Sequence, residues 1–281
     1  MDSYKVTVLA ENTTYRHNVI AQHGQSILIE HKDYKLLFDV GEIPGGVTHN
    51  LTQQGIGLEQ INDIVISHRH IDHIGALPAM LPGLDKQRLF LPEQMGEAHI
   101  KKHPEKYRFL EAISEGDYNL AIDPKTTETI LKYAGSQVVR DQGFEIAHSI
   151  YTTGSVGDWM KEQAIVIDQK ERGITVIAGC SHPTVEVLVE KAIEVTGNQK
   201  VRGIIGGMHY TDFSEEEMHQ RAEKLKDYNL DFVFPSHCTT VKGSLVLQEV
   251  LGEDIVCISK TYTLGAGNSL EIGETVKKFF V

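Results

Sequence analysis

An α/β fold in one domain is what the sequence predicts, and three observations support this prediction. At 281 residues and 41% hydrophobic content, the chain is large enough for one packed core. Its first third alternates short apolar runs with turn residues, as the strands of a meander do. Its second half alternates strand-like runs with amphipathic helical patterns, and no close repeat, low-complexity tract or clear linker divides residues 1–281.

The first predicted elements are short strands. Apolar runs of strand length, bounded by turn residues, occupy residues 6–9, 26–29 and 35–38. Residues 48–57 set isolated apolar side chains among polar ones and finish on glycine, which predicts a helix with a glycine stop. The run 63–67 predicts a buried strand, and the end of that strand leads directly to His68.

Residues 85–129 interrupt this pattern and predict an insertion that is part helix and part loop. Its composition is polar and basic with scattered aromatic side chains, and it includes Lys101, Lys102, His103, Lys106, Tyr107 and Arg108. Two interpretations stay open for this segment. It is either a solvated surface excursion or a lid that shapes a substrate pocket.

Strand and helix patterns alternate in the second half. The predicted strands are residues 164–168, 174–178, 201–205 and 232–234, and the predicted helices are residues 183–194 and 214–228. Ser214, followed three residues later by Glu217, predicts a capping box at the start of the second helix. Three of these strands lead into turns that contain histidine or cysteine, at residues 180–182, 208–209 and 236–238.

Composition and charge narrow the range of partners. With 39 acidic and 27 basic residues and a formal net charge of -12, the chain lacks the basic surface of a nucleic-acid binder, so a small-molecule substrate is expected instead. Neither a leader-like start nor an apolar run of about 18 residues occurs, so we expect a cytoplasmic protein without membrane contact. Cys180, Cys238 and Cys257 are expected to be reduced thiols. The oligomeric state stays open.

Four side chains that bind metals fall within the six residues 68–73. In an extended or turning loop, His68 and His70 project to the same side and can hold one metal ion, while Asp72 and His73 are displaced enough to serve a second. Imidazole and carboxylate ligands suit zinc, and also iron, manganese or nickel. The alternative is a histidine-rich surface loop without a metal. The sequence therefore predicts one or two divalent metal ions, with zinc preferred.

This hexapeptide matches the H-x-H-x-D-H signature, and with it the chain resembles the metallo-β-lactamase superfamily. Residues 37–41 resemble the first motif of that superfamily, whose aspartate, here Asp39, orients a metal-site histidine. Residues 179–183, 206–209 and 235–239 resemble a narrower branch, which is named for a dihydropterin ribofuranosyl-aminobenzene phosphate synthase. The resemblance implies a four-layer αββα sandwich and a metal-dependent hydrolase.

The same resemblance implies two sets of metal ligands. One set is His68, His70 and His182, and the other is Asp72, His73 and His237. His182 and His237 each follow an apolar strand-like run, as ligands carried on loops should. For both of them the alternative is a histidine that hydrogen bonds satisfy at a strand end.

Two positions depart from the superfamily pattern. Cys180 stands where many relatives carry a bridging aspartate, which leaves open the second metal ion and the group that bridges the pair. Arg69 stands where glycine is common, and its guanidinium either meets an anionic substrate or points into solvent. Cys180 and Cys238 are either thiolate ligands for a soft metal or small buried apolar residues.

His209 is a further candidate. It follows Gly206 and Gly207, whose missing side chains would let a ligand approach the backbone closely. His209 would then bind phosphate, donate a proton to a leaving group or replace a metal ligand. The alternative is a structural histidine at a strand end. We take Arg69, Gly206, Gly207 and His209 as the predicted substrate-binding residues.

The predicted function is a hydrolase that uses a metal-activated water on a small anionic substrate. A divalent ion lowers the pKa of its bound water from about 15.7 toward about 7. Asp72 and His209 are the predicted catalytic residues, with Asp72 both a ligand and a proton acceptor. The preference for a phosphate ester comes from the resemblance. Two alternatives stay open: a synthase (transferase) that joins a pterin to a ribofuranosyl-aminobenzene phosphate, and a metal-bearing small-molecule sensor without turnover.

Overall fold

The computed structural model describes residues 3–101 and 118–280. In chain order its strands are β1 (Tyr4–Ala10), β2 (Ser26–His31), β3 (Tyr34–Phe38), β4 (Asp63–Val65), β5 (Arg88–Leu91), β6 (Ile100–Lys101), β7 (Tyr118–Asn119), β8 (Ser136–Val138), β9 (Phe144–Ala147), β10 (Ile150–Thr152), β11 (Ile165–Asp168), β12 (Ile174–Ala178), β13 (Val201–Gly206), β14 (Phe232–Pro235), β15 (Ser269–Ile272) and β16 (Val276–Phe279). Several of these strands coincide with the short apolar runs from which the sequence analysis predicts strands.

Two large sheets contain nearly all of these strands. The first has the order β16-β15-β1-β2-β3-β4-β5-β8, and from β3 onward its neighbouring strands are parallel. The second has the order β14-β13-β12-β11-β10-β9, in which β12, β13 and β14 are parallel. Strands β6 and β7 form a separate antiparallel ribbon. In each sheet, the carboxyl ends of the parallel strands therefore lie at one edge.

The helices lie between the strands along the chain. They are α1 (Gly46–Gln53), α2 (Ile71–Ile74), α3 (Leu77–Met80), α4 (Pro124–Leu131), α5 (Val185–Thr196), α6 (Glu215–Lys224) and α7 (Thr240–Leu251). Within the described residues, no helix is both long enough and apolar enough to cross a lipid bilayer.

Three hydrophobic clusters define four layers. The central cluster joins the facing sides of both sheets, for example Phe38 of the first with Phe234 of the second. A second cluster joins the other side of the first sheet to α1, α3 and α4, and a third joins the other side of the second sheet to α5, α6 and α7. The order is helix, sheet, sheet, helix. The predicted αββα sandwich is confirmed, and the two sheets bury their apolar faces against each other and against the helices.

Most predicted elements lie within observed ones, but their bounds differ. The strand predicted at 63–67 ends at Val65. Ile66 N–H still bonds to Phe90 of β5, but Ser67 N–H bonds to the Asp39 side chain and the Ser67 carbonyl accepts from Gln163. The helix predicted at 48–57 begins at Gly46 and ends at Gln53, and Gly55, at φ +73°, makes the predicted glycine stop. The capping box of Ser214 and Glu217 is present, and α6 continues as a 3-10 turn to Tyr228.

The segment predicted as an insertion carries regular structure in its described part. Residues 85–101 contain β5 and β6, and residues 118–129 contain β7 and the start of α4. Because β5 pairs with β4 and β8, the first sheet extends into this segment. Lys101 ends β6, whereas Lys102, His103, Lys106, Tyr107 and Arg108 lie outside the described residues. The insertion and the lid stay predictions.

Candidate metal centre

The turns that follow five parallel strands contribute side chains to one site. Asp39 follows β3 and residues 68–73 follow β4 in the first sheet. Residues 180–182, 207–209 and 237 follow β12, β13 and β14 in the second sheet. Ligand sites are common beyond the carboxyl ends of parallel strands, where loops converge. Each sheet therefore supplies a share of the candidate ligands.

Three histidines form the first candidate ligand group, which we call the triple-histidine group: His68, His70 and His182. Nε2 of His68 lies 3.1 Å from Nδ1 of His70, and Nε2 of His182 lies 3.2 Å from each of these atoms. Tetrahedral zinc with bonds of 2.0–2.1 Å would need nitrogens about 3.3 Å apart. The three histidines that the resemblance assigns to one metal ion thus have the spacing that such an ion requires.

Four residues form the second candidate group, which we call the mixed group: Asp72, His73, Cys180 and His237. Nε2 of His237 lies 3.0 Å from Oδ2 of Asp72 and 3.3 Å from Nε2 of His73. Nε2 of His73 also lies 3.2 Å from Sγ of Cys180. The structure therefore brings together the second set of ligands that the resemblance implies and adds a thiol to it.

The hydrogen bond of His73 Nδ1 indicates that Nε2 of the same ring, and with it the mixed group, suits a cation. Asp39 Oδ2 lies 2.7 Å from His73 Nδ1, and a carboxylate can only accept, so the ring proton belongs on Nδ1. In the neutral ring, Nε2 then presents a lone pair to the carboxylate of Asp72. Buried lone pairs that face one another need positive charge between them. A divalent ion meets this requirement with the nitrogen, oxygen and sulfur donors present.

Asp39 lies where the resemblance implies an orienting aspartate. Besides the contact to His73, it accepts hydrogen bonds from the backbone N–H and the hydroxyl of Ser67, at 2.6 and 2.8 Å. The Ser67 hydroxyl in turn lies 2.9 Å from Nδ1 of His68. Asp39 is fully buried, so it connects one ligand of each group through short contacts. Such partners fix the ring orientation of a ligand and raise its basicity.

Replacing Asp39 with asparagine is expected to weaken zinc binding by about 10- to 100-fold, because the amide removes the negative charge that orients His73. Competition with a chromophoric chelator measures the affinity. Asp33→Asn is the matched control, since Asp33 is exposed, and it should bind zinc as the unmodified chain does. Equal affinities for Asp39→Asn and Asp33→Asn would contradict this role.

Two buried glutamates that the sequence analysis missed hold the ligand loops. Glu162 is fully buried and accepts the backbone N–H groups of Cys180, Ser181 and His182, each at 2.8 Å. Glu11, also fully buried, accepts the backbone N–H of His237 at 2.9 Å. Glu11 directly follows β1, and neither glutamate lies in one of the motifs that the sequence analysis identified.

Burial keeps the triple-histidine group uncharged. Burial, followed by the neighbouring imidazoles, lowers the pKa of His68 well below its usual range. Burial lowers the pKa of His70 to about 3, and burial with the nearby His209 lowers that of His182. The imidazoles are therefore neutral at neutral pH, as metal ligation requires.

The mixed group attracts positive charge instead. Burial alone would lower the pKa of His73, but the carboxylates of Asp72 and Asp39 outweigh it and raise this pKa to about 9. Burial likewise would raise the pKa of Asp72, yet His73 and His237 hold it well below its usual range. Because these carboxylates stabilise a proton here, they also stabilise a metal cation that replaces it.

His209 lies beside the triple-histidine group. Its ring centroid is 4.2 Å from that of His182, and its Nε2 lies 3.1 Å from Oδ2 of Asp212. Its backbone is left-handed, at φ 52°. Its Nδ1 is buried and has no hydrogen-bond partner among the described residues, so one ring nitrogen is left for another group. His209 also forms a group with Cys180 and His182, in which one ligand atom of each residue lies within 4.8 Å of the others.

The space beside Gly206 and Gly207 is filled by backbone atoms of the preceding ligand loop and is not open to a ligand. A Cβ on Gly206 would lie 2.2 Å from the carbonyl oxygen of Ala178, and Gly206 has a φ of +117°. A Cβ on Gly207 would lie 2.4 Å from the carbonyl oxygen of Gly179. Glycine is therefore needed here for close packing of the two ligand loops. Substrate contact by these residues stays a prediction.

Arg69 is held inside the protein. Its guanidinium donates to Oε1 of Gln94 at 2.6 Å and lies 3.7 Å from Glu97, and only 6% of the residue is exposed. Its Nε is buried without a partner among the described residues. Ile71 N–H also donates to the carbonyl of Leu120. The described part of the 85–129 segment thus packs directly on the metal-binding motif.

Two aromatic residues near the site were also missed by the sequence analysis. Nδ1 of His99 lies 2.6 Å from Nε2 of His70, and the two rings are stacked. Trp159 is 55% exposed, and its ring centroid lies 5.3 Å from that of His182 and 5.6 Å from that of His99. We call Trp159 and His99 the aromatic wall. Neither residue lies in a motif, and only the fold brings them to the site.

Comparisons with known proteins agree with this description. The family model described as anti-Pycsar protein Apyc1 matches residues 16–101, which include the metal-binding motif. The 7,8-dihydropterin-6-methyl-4-(β-D-ribofuranosyl)-aminobenzene-5'-phosphate synthase of Methanocaldococcus jannaschii is 27% identical over 90% of this chain and 94% of its own length.

Solved structures extend the comparison to the fold. The crystal structure of Tm1679, a metal-dependent hydrolase of the β-lactamase superfamily, superposes with a TM-score of 0.71 at 20% identity, over 96% of this chain and all of that one. A diphosphatase from the PhnP family superposes with a TM-score of 0.51 at 12% identity, over 98% of this chain and all of that one.

The chain has the metallo-β-lactamase fold, and at the loop edge of that fold it carries a candidate cluster of metal ligands. The resemblance stated from the sequence is confirmed in the fold by the solved structures and in the sequence by the similar synthase. In sequence, the chain is similar to the dihydropterin ribofuranosyl-aminobenzene phosphate synthase for which the narrower branch is named.

Proposed function

We propose that this chain is a metal-dependent hydrolase of a small anionic molecule, such as a phosphate ester. The observation that carries the proposal is the meeting of two adjacent ligand groups, each with its donor atoms within 4.8 Å of one another. The similarity in fold to a metal-dependent hydrolase and to a diphosphatase supports the reaction class. The net charge of -12 favours a small substrate over nucleic acid.

Two divalent ions fit these ligands. The triple-histidine group would hold one and the mixed group the other, and nitrogen and sulfur donors favour zinc over manganese, iron or nickel. Such an ion supplies an activated water and polarises an oxygen of the substrate. The remaining tasks of binding, orientation and proton transfer belong to side chains of the chain itself.

Asp72 and His209 are the proposed proton-transfer groups. The Asp72 carboxylate lies within the mixed group and is 7% exposed, so it can accept a proton from a nucleophile that enters there. His209 lies beside His182, and its Nδ1 has no hydrogen-bond partner among the described residues, so a proton can pass from it to a leaving group. One residue removes a proton and the other returns one.

Arg69 and the aromatic wall are the proposed binding groups. The unpartnered Nε of Arg69 leaves one cationic donor for an anionic substrate, while Gln94 and Glu97 fix the guanidinium. Exposed Trp159 offers a flat apolar surface beside His182. A substrate with both a planar ring and an anionic group would use the two features together.

Elemental analysis of the purified chain followed by a substrate panel tests the proposal. We expect about two equivalents of divalent metal, and cleavage of aryl phosphate esters that a chelator abolishes and added zinc restores. Phosphodiester, lactone and thioester compounds complete the panel. If the metal-loaded chain cleaves no member of the panel, the hydrolase proposal is wrong.

Cobalt(II) is expected to quench the tryptophan fluorescence of the chain. Trp159 is the only tryptophan, and its ring lies 5.3 Å from the ring of His182, a candidate ligand. A transition-metal ion bound there would accept energy from the excited indole. His182→Ala should lose most of the quenching, whereas His219→Ala, on α6, should keep it. Equal quenching in both variants would place the ion elsewhere.

A synthase is the second candidate, and the aromatic wall is the observation that favours it. The similar protein from Methanocaldococcus jannaschii is named for the joining of a dihydropterin to a ribofuranosyl-aminobenzene phosphate. Both partners contain planar rings, and Trp159 and His99 provide a surface on which such a ring can stack.

Supplying a dihydropterin that carries a leaving group on its 6-methyl carbon, together with a ribofuranosyl-aminobenzene phosphate that displaces this group, distinguishes the candidates. A condensed product, dependent on metal and lost in Trp159→Ala, would favour the synthase. Hydrolysis without condensation would favour the hydrolase. Tight, metal-dependent binding without any product would instead indicate the third alternative, a sensor without turnover.

A further inference from the structure

His70 presents a different ring nitrogen to the triple-histidine group than its two partners do. His68 and His182 take part through Nε2, whereas His70 takes part through Nδ1, which lies 3.1 and 3.2 Å from those two atoms. A neutral imidazole carries one ring proton, so a ring that offers Nδ1 to a metal ion carries its proton on Nε2. The group that accepts this proton therefore fixes the ring of His70.

The atom that faces Nε2 of His70 is Nδ1 of His99, at 2.6 Å. Two ring nitrogens at this distance form a hydrogen bond, in which one ring donates and the other accepts. Because His70 carries its proton on Nε2 when Nδ1 binds a metal ion, His99 is the acceptor. The peptide of His99 is itself held: its N–H donates to Oδ1 of Asn119 at 2.9 Å, and its carbonyl accepts from Leu120 N–H at 2.8 Å.

The support of His70 comes from outside the metal-binding motif. For comparison, Nδ1 of His68 lies 2.9 Å from the hydroxyl of Ser67, the residue directly before it. His99 instead belongs to the 85–129 segment and directly precedes β6. Packing of that segment on the motif therefore brings the ring of His99 to the outer nitrogen of a candidate ligand.

The backbone of the same segment is also bonded to the motif. Ile71 N–H donates to the carbonyl of Leu120 at 2.6 Å, and His70 forms an isolated β-bridge with Ala121. Leu120 directly follows β7, which pairs with β6. The ribbon of β6 and β7 is thus attached to the motif through the backbone, and this attachment fixes where the ring of His99 lies.

We propose that His99 is a positioning residue of the metal site, which accepts the Nε2 proton of His70 and keeps Nδ1 directed into the triple-histidine group. The proposal rests on the metal site of the proposed function. An acceptor on the outer nitrogen of a ligand histidine fixes the ring and raises its basicity. The described ribbon of the 85–129 segment then supports the metal ion, a role distinct from the stacking surface that the aromatic wall offers.

Substitution can separate the acceptor of His99 from its ring. In asparagine, Oδ1 is bonded to Cγ as Nδ1 is in histidine, so His99→Asn keeps an acceptor and removes the ring. His99→Phe keeps a flat ring beside Trp159 and removes the nitrogen. His219→Ala is the matched control, because His219 is also half-buried and has a carboxylate partner outside the site, Glu249 at 3.4 Å.

Cobalt(II) titration of the full chain, after removal of bound metal, tests the proposal. Quenching of Trp159 reports on the triple-histidine group, because the indole lies 5.3 Å from the ring of His182. His99→Phe should need about 10- to 100-fold more cobalt for half-maximal quenching than the unmodified chain. His99→Asn should recover most of this loss, and His219→Ala should match the unmodified chain.

Zinc competition with a chromophoric chelator gives a second measurement that does not depend on Trp159. In His99→Phe, one equivalent of zinc should bind about 10- to 100-fold more weakly, while the equivalent in the mixed group should change less. Thermal unfolding of each metal-free variant shows whether its fold is retained. If His99→Phe does not fold, His99→Ala removes the acceptor in its place.

The possible results separate this proposal from the proposed function. Equal affinities in His99→Phe and the unmodified chain would overturn the positioning role and leave the metal site intact. Binding as weak in His99→Asn as in His99→Phe would show that ring packing supports the site, and would overturn the role of the acceptor as well. Neither quenching nor zinc binding in the unmodified chain would overturn both proposals.

Discussion

Replacing His70 with alanine is expected to remove about one equivalent of bound zinc and to lower turnover of a phosphate ester by about 10²–10³-fold. Nδ1 of His70 lies 3.1 Å from Nε2 of His68 and 3.2 Å from Nε2 of His182. Alanine therefore removes one of the three nitrogen donors of the triple-histidine group. Elemental analysis and steady-state kinetics at saturating metal measure the two effects.

His17→Ala is the matched control for this experiment. His17 is exposed and belongs to neither ligand group, so its variant should keep full metal content and activity. His70→Ala that keeps both equivalents of zinc, with turnover equal to that of His17→Ala, would show that the triple-histidine group does not bind the ion.

Replacing Glu162 with glutamine is expected to lower the free energy of unfolding by about 1–3 kcal/mol. The carboxylate accepts three backbone N–H groups with its two oxygens, and the amide can offer one oxygen and one NH₂ group. At least one backbone N–H of residues 180–182 would then face the NH₂ group of the glutamine, which is also a donor. Denaturant unfolding measures the loss of stability.

The same substitution should weaken zinc binding by about 10- to 100-fold, because Glu162 positions the loop that carries His182. Glu171→Gln is the matched control, since Glu171 is exposed. If Glu162→Gln lost stability but kept zinc affinity at the level of Glu171→Gln, the glutamate would support the fold without positioning the ligands.

The parts of the fold that could be predicted from sequence are those with a strong local pattern. Apolar runs such as 174–178 and 201–205 indicate buried strands, and the capping box at Ser214 marks a helix start. The edge strands β9 and β16 carry mixed burial, so no clean alternation reveals them. The sheet to which a strand belongs depends on contacts distant in sequence.

The residues of the candidate site also differ in whether a local sequence pattern could reveal them. Four candidate ligands could be found because they fall within one hexapeptide, and the resemblance assigns His182 and His237 as two more. Glu162 could not be found, because an isolated glutamate gives no signal until the fold buries it beneath three N–H groups. His99 and Trp159 likewise reach the site only through packing of loops.

The candidate ligands are divided between the two sheets. His70 and Asp72 follow a strand of the first sheet, whereas His182 and His237 follow strands of the second. An ion held by both sets would act as a cross-link between the halves of the sandwich, and separating the halves would require its release. Because a ligand that binds only the folded chain adds its binding free energy to stability, the two halves would unfold together as one cooperative unit when loaded.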